Sequence, residues 1–322
     1  MLRFAMISKW HVHAQSYAEI VRAQPDACIR CVWDEAPERG REWAKELGVD
    51  FEADYDAVLA RPDVDAVLID TPTNMHKEVM IKAARAGKHI FTEKVFALTV
   101  KDCDEIIDEI KRAGVTFTIC FPHRCMPRNL FVHQAVTDGM LGDITLLRIR
   151  NAHDGATAGW LPDYWYDPVI TGGGAMMDLG VHGMYLANYL LGRPVRIQSM
   201  FTRMTGRAVD DNAVCMMEFE NHAVAITETA LVSPLTPFML EVYGTKGVIQ
   251  VKDDEIKFRT AGQKEWRSPE RLPDALPHPI RQFIDSVLYK KDVRFGMEEG
   301  RMLTLMMEKA YESDATRREI TF

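Results

Sequence analysis

The chain has 322 residues, 47% of them hydrophobic and 27% charged, with a formal net charge of −8. That length exceeds what one hydrophobic core ordinarily serves and points to two domains, while the acidic balance and the lack of a Lys/Arg stripe exclude a nucleic-acid surface. No apolar run approaches the ~18 residues of a membrane span, and six cysteines in so long a chain read as reduced thiols, so a cytoplasmic protein with no membrane contact is expected.

Up to about residue 120, short β-rich runs at 2–7, 28–33, 66–69, 89–92 and 116–120 alternate with helical periodicity at 14–23, 37–47, 76–86 and 101–113. Gly48, Gly87 and Gly114 follow three of those helices as C-caps. The alternation predicts an α/β half: a doubly wound parallel sheet forming a Rossmann-type dinucleotide-binding domain over 1–121. Cys28 and Cys31 form a C-x-x-C, but they lie on a strand where residues three apart face opposite sides, and no second pair completes four ligands. They read as packing, not as a metal site.

After Pro122 the pattern changes. A helix at 127–138 leads to a strand at 144–151, an aromatic loop with Trp160, Tyr164, Trp165 and Tyr166, three glycines (Gly172 to Gly174), and a helix at 175–191 stopped by Gly192 and Pro194. Strands follow at 196–205, 213–220, 223–231, 238–243 and 248–251, the last two joined by a tight turn at Thr245-Lys246-Gly247, and helices at 279–289 and 298–315 close the chain. This predicts an α+β domain over 122–322 with a large, open, mostly antiparallel sheet. One face of that sheet needs cover from helices or another subunit, which points to a homodimer or homotetramer.

Four stretches carry the chemistry. In "ISKWHVHA" the first strand passes into a helix without the glycines of a dinucleotide turn: Ser8 stands at the first glycine position, Trp10 at the second and His13 at the third. Trp10 denies the close backbone approach those glycines allow, yet N–H groups at the helix start still favour a diphosphate, with Lys9, His11 and His13 as added donors. Asp34, ending the second strand, suits the adenosine ribose hydroxyls and favours NAD, while Arg39 and Arg41 keep NADP possible. In "DTPTNMHKE", Thr71, Thr73 and Asn74 offer short polar groups where a strand end enters a helix. In "HIFTEKVFAL", Glu93 and Lys94 directly follow a strand, where ligands bind a parallel sheet. In "GGGAMMDLGVHGMYLANYLLG", Asp178 and His182 are spaced to share one helical face, and the glycines let something approach the helix start.

Taken together, the E-K after the fifth strand, the T-P-x-x-x-H segment, the G-G-G-x-x-x-D-x-G-x-H helix and the linking stretch with Arg124 resemble the Gfo/Idh/MocA family of nicotinamide-dependent oxidoreductases. The resemblance implies hydride transfer at a hydroxyl carbon of a sugar, cyclitol or related polyol. It assigns catalysis to Lys94, Asp178 and His182, with His182 as base, Asp178 supporting it and Lys94 at the reacting oxygen. It assigns NAD contacts to Ser8, Lys9, Trp10, His11, Asp34, Thr71, Pro72, Thr73, His76, Glu93 and Lys94, and substrate contacts to Lys94, Arg124, Trp165, Asp178 and His182. The chain departs from the family pattern at the opening turn, at Val95 in place of the proline of E-K-P, at Tyr185 in place of an acid and at His123 in place of an aromatic residue. The alternatives are a non-catalytic ligand-binding or regulatory protein on the same fold, and a zinc or manganese site from His11, His13, Asp178 and His182. The favoured reading assigns no metal.

Overall fold

Leu2–Ile7 forms β1, in which every residue but Arg3 is buried, as a strand with helices on both faces must be. In the computed structural model, which describes all of Met1–Phe322, this strand lies near the centre of a six-stranded sheet. The chain continues through α1 (Ala14–Arg22), β2 (Ala27–Trp33), α2 (Pro37–Leu47), β3 (Asp50–Phe51), α3 (Tyr55–Ala60), β4 (Ala66–Ile69), α4 (His76–Arg85), β5 (His89–Thr92), α5 (Val100–Ala113) and β6 (Phe117–Ile119). The sheet order is β3-β2-β1-β4-β5-β6 and every pairing is parallel, the doubly wound arrangement expected from the alternation. The order in which strands are laid down reverses between β1 and β4, so the crevice for a ligand opens beyond their carboxyl ends. The β3–α3 excursion escapes the sequence reading because a strand of two residues has no period to detect.

The second sheet is built from β7 (Ile144–Ala152) onward. Before it comes α6 (Pro127–Thr137); after it come the single-turn α7 (Gly155–Ala158) and α8 (Pro168–Thr171), a π turn at Met176–Gly180, and α9 (Val181–Leu191). The strands β8 (Pro194–Thr202), β9 (Asn212–Phe219), β10 (Val224–Ala230), β11 (Met239–Gly244), β12 (Gly247–Lys252) and β13 (Glu255–Thr260) follow. Then come α10 (Pro279–Tyr289), α11 (Met297–Thr316) and β14 (Ile320–Thr321), giving eight strands in the order β13-β12-β11-β7-β10-β9-β8-β14. Only β7 and β10 pair in parallel; the other ladders are antiparallel. Burial alternates along β8 and β9, with Ile197, Phe201, Ala213, Cys215 and Met217 inward and Met200, Val214 and Met216 outward. The edge strand β13 was not expected: among its alternating residues only Ile256 is buried, so its apolar signal is faint.

The chain divides into two units, Met1–Phe121 with Pro277–Thr304, and Pro122–Leu276 with Leu305–Phe322. A single cut after residue 121 does not describe this, because α10 returns to the parallel sheet. Its Phe283 ring lies 5.9 Å from both Phe4 and Phe91, and Ile280, Ile284 and Val287 join the same core. Arg281 fastens it from outside through a two-pronged pair with Asp26, which also accepts from Tyr289 Oη at 2.7 Å. The Arg281 guanidinium, helped by Tyr289, holds the Asp26 carboxyl down at about 2 against an ordinary 3.8.

Two outcomes follow from this packing. Phe283→Ala is expected to lower the stability of the first unit by about 3–5 kcal/mol in chemical denaturation, the range for emptying a buried aromatic site. Because the folded Asp26 value lies below the unfolded one, its pairing stabilises fully above about pH 4 and is lost as pH falls toward 2. The melting temperature of Arg281→Ala should therefore fall less steeply than that of the parent over that interval.

Candidate functional site

The carboxyl ends of β1, β2, β4 and β5 carry most of the residues expected to hold a nucleotide. Of these, Asp34, Thr71, Pro72, Thr73, His76, Glu93 and Lys94 are buried there, and so are Ser8, Trp10 and His11 of the opening turn; Asp70, not among the expected residues, is buried with them. Lys94 is 7% exposed, which sets it apart from the solvated lysines that usually follow strands. The Lys94–Val95 peptide bond is cis.

The opening turn does without glycine by internal substitution. Ser8 takes the left-handed conformation, φ +76°, that a first glycine would supply, and its Oγ accepts from Trp10 N at 3.0 Å and from Arg39 Nη2 at 3.3 Å. Asp34 accepts from Lys9 N at 2.8 Å, from Ala36 N at 2.7 Å and from the Arg39 guanidinium. Gly40 of α2 permits this closeness: a Cβ there would sit 2.6 Å from that of Asp34. His11 N donates to Asp70 O at 3.2 Å, and His13 N to His11 Nδ1 at 3.2 Å. The N–H groups of Lys9, Trp10, His11 and His13 are thus engaged by the protein, which corrects the expectation that the amides of this turn stand ready for a diphosphate. Lys9 departs from its expected place too, because its ammonium reaches Glu46 of α2 at 2.7 Å.

Glu93 is the electrostatic centre of this unit. Its Oε2 accepts from Lys94 N at 2.7 Å, its Oε1 lies 3.2 Å from His13 Nδ1, and Tyr17 Oη donates to Oε1. Burial alone would raise the Glu93 carboxyl, but His11, His13 and Lys94 outweigh burial and hold it well below the usual range. Asp70, ending β4, is raised well above that range by burial and by the Glu93 charge, and neither of its oxygens has a hydrogen-bond partner. His76 is a brace. Burial lowers its pKa, which leaves a single N–H; with Nδ1 2.9 Å from Val95 O and 3.2 Å from Phe96 O, that donor on Nδ1 ties the start of α4 to the segment after β5, while Nε2 lies 3.2 Å from Thr71 O.

In the second unit, His182 opens α9. Its ring stacks on that of His123, centroids 4.4 Å apart, and Nδ1 is 2.9 Å from Tyr185 Oη, which also accepts from His123 N at 3.2 Å. The residue met in the sequence as a departure from the family pattern is therefore the one that orients the imidazole. Asp178 falls within the π turn Met176–Gly180, so the regular α-helical spacing argued for Asp178 and His182 does not run through this segment. Arg124 lies 4.2 Å over the Tyr189 ring, Trp165 and Tyr166 are buried, and Trp160 and Tyr164 are exposed.

The glycine run serves a purpose other than ligand access. A Cβ on Gly174 would come within 1.9 Å of Asp210 O, and one on Gly173 within 1.9 Å of Tyr311 Oη. Asp210, buried, accepts from Gly174 N, Met176 N and Tyr311 Oη at 2.8–2.9 Å and so fixes the start of the segment leading to His182. Sequence reasoning missed Asp210 and Tyr311. Asp210 reads in the sequence as one of two acids before a strand and Tyr311 as one aromatic residue in a helix, and neither is rare enough to single out.

Two family models match the chain: residues 5–121 match the oxidoreductase family with NAD-binding Rossmann fold, and residues 130–250 the GFO/IDH/MocA C-terminal domain. The chain is 27% identical over 322 residues to a myo-inositol 2-dehydrogenase of Thermotoga maritima, with 94% of each covered. It is 29% identical over 247 residues to a scyllo-inositol 2-dehydrogenase (NAD(+)) of Bacillus subtilis, covering 74% of this chain and 69% of that one. A levoglucosan dehydrogenase solved in complex with NADH and levoglucosan shares the fold, with a TM-score of 0.88 at 22% identity over 99% of both chains.

Asp210→Ala, which strands two buried N–H donors and a phenol, is expected to cost about 2–4 kcal/mol in chemical denaturation. Asp210→Asn keeps one acceptor oxygen and should lose clearly less.

Proposed function

The chain belongs to the GFO/IDH/MocA family of oxidoreductases, and on that premise we propose that it is an NAD-dependent dehydrogenase acting on a hydroxyl-bearing carbon of a sugar, cyclitol or related polyol. The observation that carries the reading is Lys94, a buried cation beside Glu93 at the ligand-binding edge of the parallel sheet. The names of the inositol dehydrogenases it resembles supply the substrate class. The residues fit a nicotinamide dinucleotide: Asp34 ends β2 where the ribose hydroxyls are held, and the buried Thr71 hydroxyl at the end of β4 has no hydrogen-bond partner in the protein. Asp34 favours NAD over its 2′-phosphorylated form. Pro72, Thr73 and His76 shape the nicotinamide side, and Ser8 to His11 the diphosphate side.

When bound, the nicotinamide supplies the hydride acceptor. Lys94 places a fixed positive charge where alkoxide character develops on the substrate oxygen. His182 takes the hydroxyl proton on Nε2, because Nδ1 is committed to Tyr185 Oη, whose oxygen can accept from both Nδ1–H and His123 N. Asp178 supports the imidazolium, and Arg124 and Trp165 contribute to substrate binding. The outward face of β8 and β9, with Met200 71% exposed, Met216 48% and Val214 40%, supports a homodimer or homotetramer formed through this sheet, in a cytoplasmic protein.

Lys94→Ala and His182→Ala are each expected to lower kcat/KM by about 10²–10⁴-fold, with NADH binding by fluorescence titration retained in His182→Ala. A panel of inositols and anhydrosugars assayed with NAD and NADP tests the substrate class and cofactor choice. An absence of turnover on every polyol, with NADH bound, would sink the reading. Met200→Asp combined with Met216→Asp should shift the molar mass in light scattering toward that of one chain.

A further inference from the structure

His11 and His13 flank a glycine-free turn, and the carboxylate that meets them is Glu93. One ligand atom from each of the three can be chosen so that all lie within 4.8 Å of one another. Ligands at about 2.0–2.2 Å from a shared ion stand roughly 3.3–3.6 Å apart, so modest side-chain rotation closes the trio around one. The His11 and His13 rings are edge to face with centroids 4.8 Å apart, and His13 Nδ1 already lies 3.2 Å from Glu93 Oε1. Two imidazoles and one carboxylate form a donor set for borderline first-row ions.

A second, independent observation concerns Asp70. Its carboxyl is fully buried, neither oxygen has a hydrogen-bond partner, and it lies close enough to Glu93 to feel that charge. A fully buried acid without a partner, within the field of a second buried acid, is an environment that further positive charge relieves. His11 N donates to Asp70 O, which ties that carboxyl's backbone to the turn bearing both imidazoles.

We propose that His11, His13 and Glu93 bind one divalent transition-metal ion such as Zn²⁺, Mn²⁺ or Fe²⁺. Tyr17 Oη, which donates to Glu93, supplies the outer support that orients a carboxylate ligand. The His13 side chain is 46% exposed, so the site opens to solvent on that side and leaves room for water or a ligand oxygen to complete the coordination. The site goes beyond the dehydrogenase reading and does not depend on it.

The test uses full-length protein stripped with a chelator and dialysed, titrated with Zn²⁺ by calorimetry and with Co²⁺ by visible d–d absorption, without nucleotide. One equivalent per chain is expected. His13→Ala should weaken binding at least about tenfold and His11→Ala more, while His222→Ala, at an exposed histidine of the other unit, should leave it unchanged. Glu93→Gln risks misfolding, so the half-exposed His13, with its variant's circular dichroism checked against the parent, is the deciding position. Absence of saturable binding, or equal binding in His11→Ala, His13→Ala and the parent, overturns the site. NADH titrations on the same samples separate the two readings: metal bound without NADH removes the dehydrogenase, and NADH bound without metal removes this site.

Discussion

A carboxylate shut away from water must be answered by positive charge or give up its own, and Glu93 imposes that demand on the first unit. Lys94 answers from the next position along the chain. His11 and His13 answer from the far end of β1, with Tyr17 of α1 adding a donor. Because β4 lies between β1 and β5, this one group fastens the opening turn to the segment after β5 across the sheet edge. The turn tolerates the loss of its glycines because its shape no longer comes from backbone freedom. Ser8 takes the left-handed conformation, and Asp34, Asp70 and His11 receive the N–H groups that a bound anion would otherwise receive. The corner is held by side chains and by the Asp70 carbonyl, and it carries two histidines.

The second unit applies the same principle with other residues. Asp210 gathers two backbone donors and a tyrosine at the start of the π turn, and the glycines there exist so that Asp210 and Tyr311 can come close. Downstream, Tyr185 rather than a carboxylate orients His182, with His123 stacked on the other side of the ring. A neutral hydroxyl thus steers the imidazole from the Nδ1 side without adding charge there.

Much of this was legible in the sequence. The five main parallel strands announce themselves as short apolar runs between capped helices. Once they are placed, the residues just after them, Asp34, Thr71, Glu93 and Lys94, fall at the sheet edge by topology alone. What stayed hidden rests on contacts between distant residues or on local departures from regular geometry. Lys9 turns to Glu46 because α2 packs where Gly40 lets it, the π turn breaks the helical period on which the Asp178–His182 spacing relied, and Asp70 passes for an ordinary strand-end acid until burial is known. Two-residue strands such as β3 and β14 carry no pattern to read.

The return of α10 gives the first unit a divided history. Its hydrophobic interior is completed by Phe283, Ile280 and Ile284, which follow β6 only after about half of the 322 residues have intervened. A chain made up to β6 is an unfinished Rossmann layer with Phe4 and Phe91 uncovered by Phe283, and β7 to β13 are made before α10 arrives to cover them. Completion of the parallel layer thus depends on a segment separated from it by nearly all of the other sheet.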